Sequence, residues 1–453
     1  MRRDPRGNPV ATASAAALDA SERALWRMMS FYGTPIADLD AAIAADPAWR
    51  LPRLMKAGFL LSLTEPALAG DAAALLHETA AAPGPLDDRE RAHLVALQRL
   101  AAGDWLGASD AWGALLAAHP RDAIALQWAH LFDFYRGDSA QLRDRAGAAA
   151  AAWPDDDPLH PYVLALHAFG LEESGQYDAA EAAGRRALAG DPRVPWAIHA
   201  VAHVMEMQGR HEEGARWLDA LRRQWGVRPG AGHDHDLNGF AGHLGWHEAL
   251  FALETLDVVA ALRIYDIYLD APSLEITLQR VDAASLLWRI ALVGGDVGHR
   301  WRELLAGWRL DAASAGQSIF NDAHATLALI GAEEMARADE WVALALANAE
   351  RNGSWNGDVS GSVGAPLLRG LLAFAAGRYD AAVELIAPLR ERLAPIGGSH
   401  AQRDVVNQTL LAAAARGGLR QAGAALIDER RRAKPTTPLS EHWARKLAAS
   451  ARR

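Results

Sequence analysis

The chain contains no cysteine, and only three of its 46 basic residues are lysine. The first absence excludes disulfides, zinc–thiolate sites and a cysteine nucleophile, and it fits a reducing compartment. β-Branched residues are sparse and alanine dominates, which favours helix over strand. No stretch approaches the about 18 uncharged apolar residues that a membrane span needs. The opening "MRRDPRGNPVATASAAALDA" carries basic residues but lacks the continuous apolar core of a signal peptide. No basic stripe is present either: the net charge of −10 is spread along the chain, against a nucleic-acid backbone as partner. Together these absences lead us to expect a soluble, cytoplasmic protein with no membrane and no nucleic-acid partner.

What is abundant is repetition. The 453 residues, 51% of them hydrophobic, are about three domains' worth. Self-similarity points instead to one architecture that grows by repeats. "AAGDWLGASDAWGALLAAHP", "YRGDSAQLRDRAGAAAAAWP" and "ESGQYDAAEAAGRRALAGDP" each place a glycine (Gly103, Gly137, Gly175) 17 residues before a proline (Pro120, Pro154, Pro192). Gly209, Gly377 and Gly418 continue the theme, the last again 17 residues before Pro435. The glycine suits a left-handed helix end, and the proline stops the next helix. Between them a small residue (Ala108, Ala180, Ala382) lets the second helix approach the first. Such pairs bury their apolar faces by stacking, so the expected fold is all-α: a tetratricopeptide-repeat-like α-solenoid with a concave groove. It is read as one continuous domain over 1–453. The parts are atypical helices at 1–90, regular repeats at 91–225, irregular repeats at 226–350, a loop at 351–366 and closing repeats at 367–453. The spacing slips at "QWGVRPGAGHDHDLNGF", and "RNGSWNGDVSGSVGAP" reads as a loop of turn residues. Both are candidate functional loops.

The segment "HAVAHVMEMQGRHEEG" raises the functional question. It puts His199, His203 and Glu206 about one turn apart on one helix face. The repeat register assigns Trp196, His199, His203 and Glu206 to the groove side of the first helix of a pair. The next repeat offers His243, Trp246 and His247 there, and the preceding one Tyr162, Phe169, Glu172 and Glu173. Two i, i+4 histidine pairs on neighbouring helices suit a divalent metal held by His199, His203, His243 and His247. They equally suit a polar pocket for an organic ligand, or histidines that merely hydrogen-bond and stack. If chemistry occurs, His203 and His247 are the candidate metal ligands or general bases, with Glu206 orienting. The "HDHD" run, His233 to Asp236, is a weaker metal candidate.

A second polar segment, "IGGSHAQRDVVNQTL", breaks one helix at Gly397 and Gly398 and caps the next with Ser399. His400, Gln402, Arg403 and Asp404 crowd its first turn, where a helix N-terminus and an arginine suit a carboxylate or phosphate. A plain capping network accounts for the same residues. Asp322 and His324 read as an ordinary pair on a surface helix, and "DERRRAKP" as a solvated helix end.

The phrases "AFGLEESGQYDAAE", "WAIHAVAHVMEMQGRHEEG", "GHLGWHEALFALE", "IYD" and "GGSHAQRDVVNQTL" occur in an order that resembles the tetratricopeptide-repeat protein 38 family, which includes StaR-like proteins of some glycopeptide-antibiotic gene clusters. The resemblance runs from "ATASAAALDASERAL" to "PLSEHWARKL" and implies a helical-repeat fold. Its signature segments fall on His199, His203, Glu206, His243, His247 and residues 399–404, which hints at a common small ligand. The leading expectation is a binding or scaffold protein that holds a small molecule or a peptide segment in a His-, Trp- and Glu-lined groove. The alternative is an enzyme, metal-dependent or not, that uses the same histidines.

Overall fold

A computed structural model describes residues 2–226, 237, 240–270, 274–352 and 355–450. The candidate run His233 to Asp236 lies outside them. Within the described residues the regular elements are helices apart from one short antiparallel pairing, Arg2–Arg3 with Pro9–Val10, and an isolated bridge between Tyr32 and Leu237. None of the described helices is long and apolar enough to cross a membrane.

The repeat signature corresponds to helix–turn–helix pairs. Asp88–Ala101 packs on Trp105–Ala118, and His160–Glu173 packs on Tyr177–Gly190. All six signature glycines take positive φ, from 66° at Gly137 to 81° at Gly103. That left-handed residue ends the first helix, and after Gly103 and Gly137 an aspartate then starts the second. Asp104 accepts from Gly107 N–H at 2.9 Å and Asp138 from Gln141 N–H at 3.1 Å. Each proline lies two residues beyond the helix it stops: Pro120 after Ala118, Pro154 after Ala152, Pro192 after Gly190, Pro435 after Ala433. Ala108, Ala180 and Ala382 are fully buried at the contact between paired helices.

The chain falls into two compact units, Met1–Val201 with Arg223–Phe240, and Ala202–Arg222 with Ala241–Arg453. In the first, tryptophans 49, 112 and 128 fill the spaces between helices. Its N-terminal segment is held by ions: Arg6 is bidentate on Glu22, and Arg89 bonds Asp122 at 2.6 Å and faces Asp4 at 3.5 Å. The second unit has one apolar core that runs from Trp246 to Trp443.

Residues 355–364, expected as part of a loop, are helical: Trp355–Val359 leads into a π-helical turn, Ser360–Gly364, and then into Ala365–Ala375. Tertiary contacts override the turn composition. The Asn356 side chain accepts Ile319 N–H at 2.9 Å and donates to Gly316 C=O at 2.7 Å. A Cβ at Gly364 would lie 2.4 Å from the Ile319 side chain, so that glycine serves close packing rather than a turn.

Two repeat turns use a side-chain-bearing residue where the others use glycine: Leu256 at φ 61° and Glu333 at φ 63°. The left-handed region costs such residues roughly 1–2 kcal/mol. Glu333 is exposed, and nothing lies within 4 Å of a Cβ at Gly175, so both sites report backbone conformation alone. Gly175→Ala is expected to destabilise by about 1 kcal/mol, and Glu333→Gly to be neutral or stabilising by up to about 1 kcal/mol. Urea unfolding checks both, and a stabilising Gly175→Ala would contradict the assigned turn.

Candidate functional site

The second unit gathers three of the candidate histidines. His203 comes from the Pro195–Met207 helix, and His243 and His247 from the Phe240–Glu254 helix. Each offers a ring nitrogen, and the three nitrogens lie within 4.8 Å of one another. The His203 and His247 ring centres are 4.4 Å apart, and those of His243 and His247 4.9 Å apart. Trp246 stacks on His243 at 5.5 Å and meets His247 edge-on at 4.8 Å. The i, i+4 spacing places the two histidines of one helix on one face, and the tryptophan closes it sideways.

Carboxylates stand behind two of these rings. His247 Nδ1 is 3.1 Å from Glu206, one turn beyond His203, and His243 Nδ1 is 2.7 Å from Asp282 on the Thr277–Leu292 helix. A ring that donates Nδ1–H to a carboxylate presents its Nε2 lone pair to the other side. Asp282 also accepts from Gln402 Nε2 at 3.2 Å. Trp246 Nε1 donates to Ser285 at 2.9 Å. Arg289, fully buried, has its guanidinium 5.3 Å from the Trp246 ring centre and donates to the carbonyls of Ser285, Ala401 and Gln402 at 3.2, 2.7 and 3.1 Å.

Burial dominates the protonation of this cluster. It drives His247 well below the ordinary histidine range, with the charges of His203, His243 and Arg289 adding in the same direction. Burial pushes Glu206 up to about 7, against the pull of Lys434 and His203. It also brings Arg289 down to about 10, although Asp404 and Glu206 favour its charged form. His247 is therefore neutral near pH 7, the state in which an imidazole can be a ligand.

Apart from His243, which is partly accessible, the expected groove-facing positions do not meet solvent. Trp196, His199, His203, Glu206, Trp246 and His247 are between 0 and 7% exposed, and Glu172 and Glu173 are buried as well. Ring packing accounts for much of this. In the first unit His199 sits against Trp196, Phe169 and Phe240 at 5.0, 5.2 and 5.4 Å, and Trp196 also stacks on Phe31 at 5.7 Å. Tyr162 donates to Asp191 at 3.1 Å and accepts from Trp26 Nε1.

The segment around Ser399 combines both of its expected readings. Ser399 and Gln402 form a reciprocal capping box at the start of the His400–Gly417 helix, while His400 is exposed. Arg403 donates to the Gly398 carbonyl. With Gln402 and His324 it lines a small cavity whose other walls include Phe320, Leu367 and Leu371. Asp404 is held far below the usual carboxylate range despite burial, by the charges of Arg430, Lys434 and Arg289, and it pairs with Arg430 at 2.9 Å. Arg430 and Lys434 thus depart from the solvated helix end expected of "DERRRAKP". Both are largely buried, and Glu254 accepts from Lys434 Nζ and from Thr437, each at 2.5 Å. Asp322 and His324 are not on a surface either, since the helix Ile319–Gly331 is packed on both sides and leaves them 1 and 3% exposed.

Asp282 and Arg289 were not singled out from the sequence. They stand seven residues apart, hence on one face of the helix, in a stretch from Val281 to Leu292 whose only other polar residue is Ser285. Two charges seven residues apart within a stretch that is otherwise nearly all apolar are the signal that finds them. No family model matches the chain.

Asp322 gives a pH test of this buried polar layer. Burial raises its carboxyl to about 7, opposed by Gly316 N–H donated to Oδ1 at 3.2 Å. An acid whose folded pKa is raised contributes stability that is full below its unfolded value, near 3.9, and lost as pH rises through the folded one. Asp322→Asn keeps an oxygen for Gly316. It is expected to match the wild type near pH 4 and to exceed it by about 2–4 kcal/mol near pH 8. Urea unfolding at the two pH values measures the difference, and a pH-independent gap would contradict a protonated Asp322.

Proposed function

We propose that the chain is a helical-repeat binding protein, an α-solenoid of tetratricopeptide type, whose functional centre is a buried histidine site for a divalent transition metal. The observation that carries this reading is the pairing of convergence with support. Three imidazole nitrogens lie within 4.8 Å, and two of the three rings have Nδ1 on a buried carboxylate. Metal-binding histidines are characteristically backed in this way, because the carboxylate fixes the tautomer and raises the basicity of the ligating nitrogen. A tetrahedral ion about 2.0–2.1 Å from each nitrogen needs them about 3.3 Å apart, so modest ring rotations would close the site. Neutral nitrogen donors favour zinc, cobalt, nickel or copper over magnesium or calcium. His199 lies one turn before His203 on the same helix.

Burial of the groove-side positions speaks against an extended peptide lying across them. The order of the phrases from "AFGLEESGQYDAAE" to "GGSHAQRDVVNQTL" supports placing the chain with the tetratricopeptide-repeat protein 38 and StaR-like proteins. A second reading, an enzyme that uses the same histidines for acid–base chemistry, is favoured by Glu206, whose carboxyl at about 7 exchanges a proton near neutral pH.

Metal content by mass spectrometry, with Co²⁺ titration of the chelator-treated protein, tests the metal reading. The wild type should carry or take up about one equivalent of Zn²⁺ or Co²⁺, and Co²⁺ should develop the visible absorption of a low-symmetry nitrogen site. The His203→Ala/His247→Ala variant should lose both while keeping its helical signal. Absence of uptake by the wild type, after purification without chelator, would sink the metal reading and leave an organic ligand for the same residues.

A further inference from the structure

Gln402 has a single side-chain amide that serves two partners of opposite demand. Its Oε1 accepts the Ser399 backbone N–H at 3.0 Å, and its Nε2 donates to Asp282 Oδ1 at 3.2 Å. Asp282 Oδ2 in turn faces His243 Nδ1 at 2.7 Å. The orientation of an amide is a matter of which neighbours donate and which accept. Here the backbone N–H can only donate, so the oxygen must point to Ser399. A flipped amide would set N–H against N–H and oxygen against carboxylate. With the NH₂ end committed to Asp282, the two carboxylate oxygens divide their work. Oδ1 takes the amide and Oδ2 is left to accept from histidine.

We infer that Gln402 is a positioning residue: it orients the Asp282 carboxylate so that this holds the proton of His243 on Nδ1 and makes Nε2 the metal-facing nitrogen. The inference rests on the metal reading for its purpose, though the tautomer itself does not. It gives the dense "GGSHAQRDVVNQTL" segment a role other than direct ligand contact: the cap of one helix sets a lone pair on another by way of a third. Arg289 reinforces the arrangement, because it donates to the carbonyls of Ala401 and Gln402 from the helix that bears Asp282. The relay is buried up to its last member: Asp282, Ser399 and Gln402 are at most 7% exposed, and His243 is partly accessible. Water therefore has little room to substitute for the amide.

The test is the tautomer of His243 in metal-free, ¹⁵N-histidine-labelled protein, its signal identified by its loss in His243→Gln. The wild type should show a protonated Nδ1 and an unprotonated Nε2. A proton on Nε2 would overturn the inference without any variant. Gln402→Met removes the amide at nearly constant volume and should give averaged signals at both nitrogens, with Co²⁺ affinity reduced about tenfold. Ser399→Ala is the control. It weakens the cap and lowers stability but leaves the Gln402–Asp282 bond, so it should leave the tautomer unchanged. An unchanged tautomer in Gln402→Met overturns the inference, and so does an equal change in both variants, which would assign the effect to the helix cap. A wild type that takes up no Co²⁺ ends the metal reading, while the tautomer measurement stands on its own.

Discussion

A single buried guanidinium joins three helices of the second unit. Arg289 reaches from Thr277–Leu292 to the first turn of His400–Gly417 and lies against the ring of Trp246 on Phe240–Glu254. No carboxylate lies within 4 Å of it among the described residues, so carbonyl oxygens and an aromatic face carry its solvation. A charge moved out of water is costly unless its surroundings replace the lost hydration. That constraint places the helices relative to one another more strictly than apolar packing alone, which tolerates shifts in register. The histidine rings inherit this precision. Arg289 also biases them electrically, because its positive charge helps keep His247 neutral.

The helix–turn–helix pairs were legible because their determinants are local. Gly103 and Asp104 sit in one turn, and the turn needs little else: a left-handed residue, then a side-chain oxygen for the next helix. Pro120, Pro154, Pro192 and Pro435 each stop a helix within two residues of themselves. The pairing of His203 with His247 was legible for a related reason, since a regular repeat brings equivalent positions on successive helices together.

What stayed hidden depended on partners far away in the chain. Gln402 and Asp282 are 120 residues apart, and neither carries a mark of the other. The glycines of 351–366 read as turn formers, yet Gly364 serves the close approach of Ile319. Composition cannot tell a glycine used for its φ from one used for its missing Cβ. Asp322, His324, Arg430 and Lys434 look like surface residues because charged groups usually are. Their burial follows from how many helices pack around them, which the local pattern does not encode. The burial of the positions assigned to the groove side stayed hidden for the same reason. Repeat register tells which side chains share a face, not whether rings such as Phe169 and Phe240 will cover it.

The pairing of Glu254 with Lys434 and Thr437 bears on the order in which the protein is made. These partners lie 180 and 183 residues further along the chain. The helix that carries His243 and His247 therefore leaves the ribosome well before the groups that neutralise its C-terminal acid. Until they emerge, Glu254 must remain hydrated, and the end of that helix cannot close into the core. Final packing of the histidine helices is thereby deferred until the segment with Lys434 and Thr437 has been synthesised.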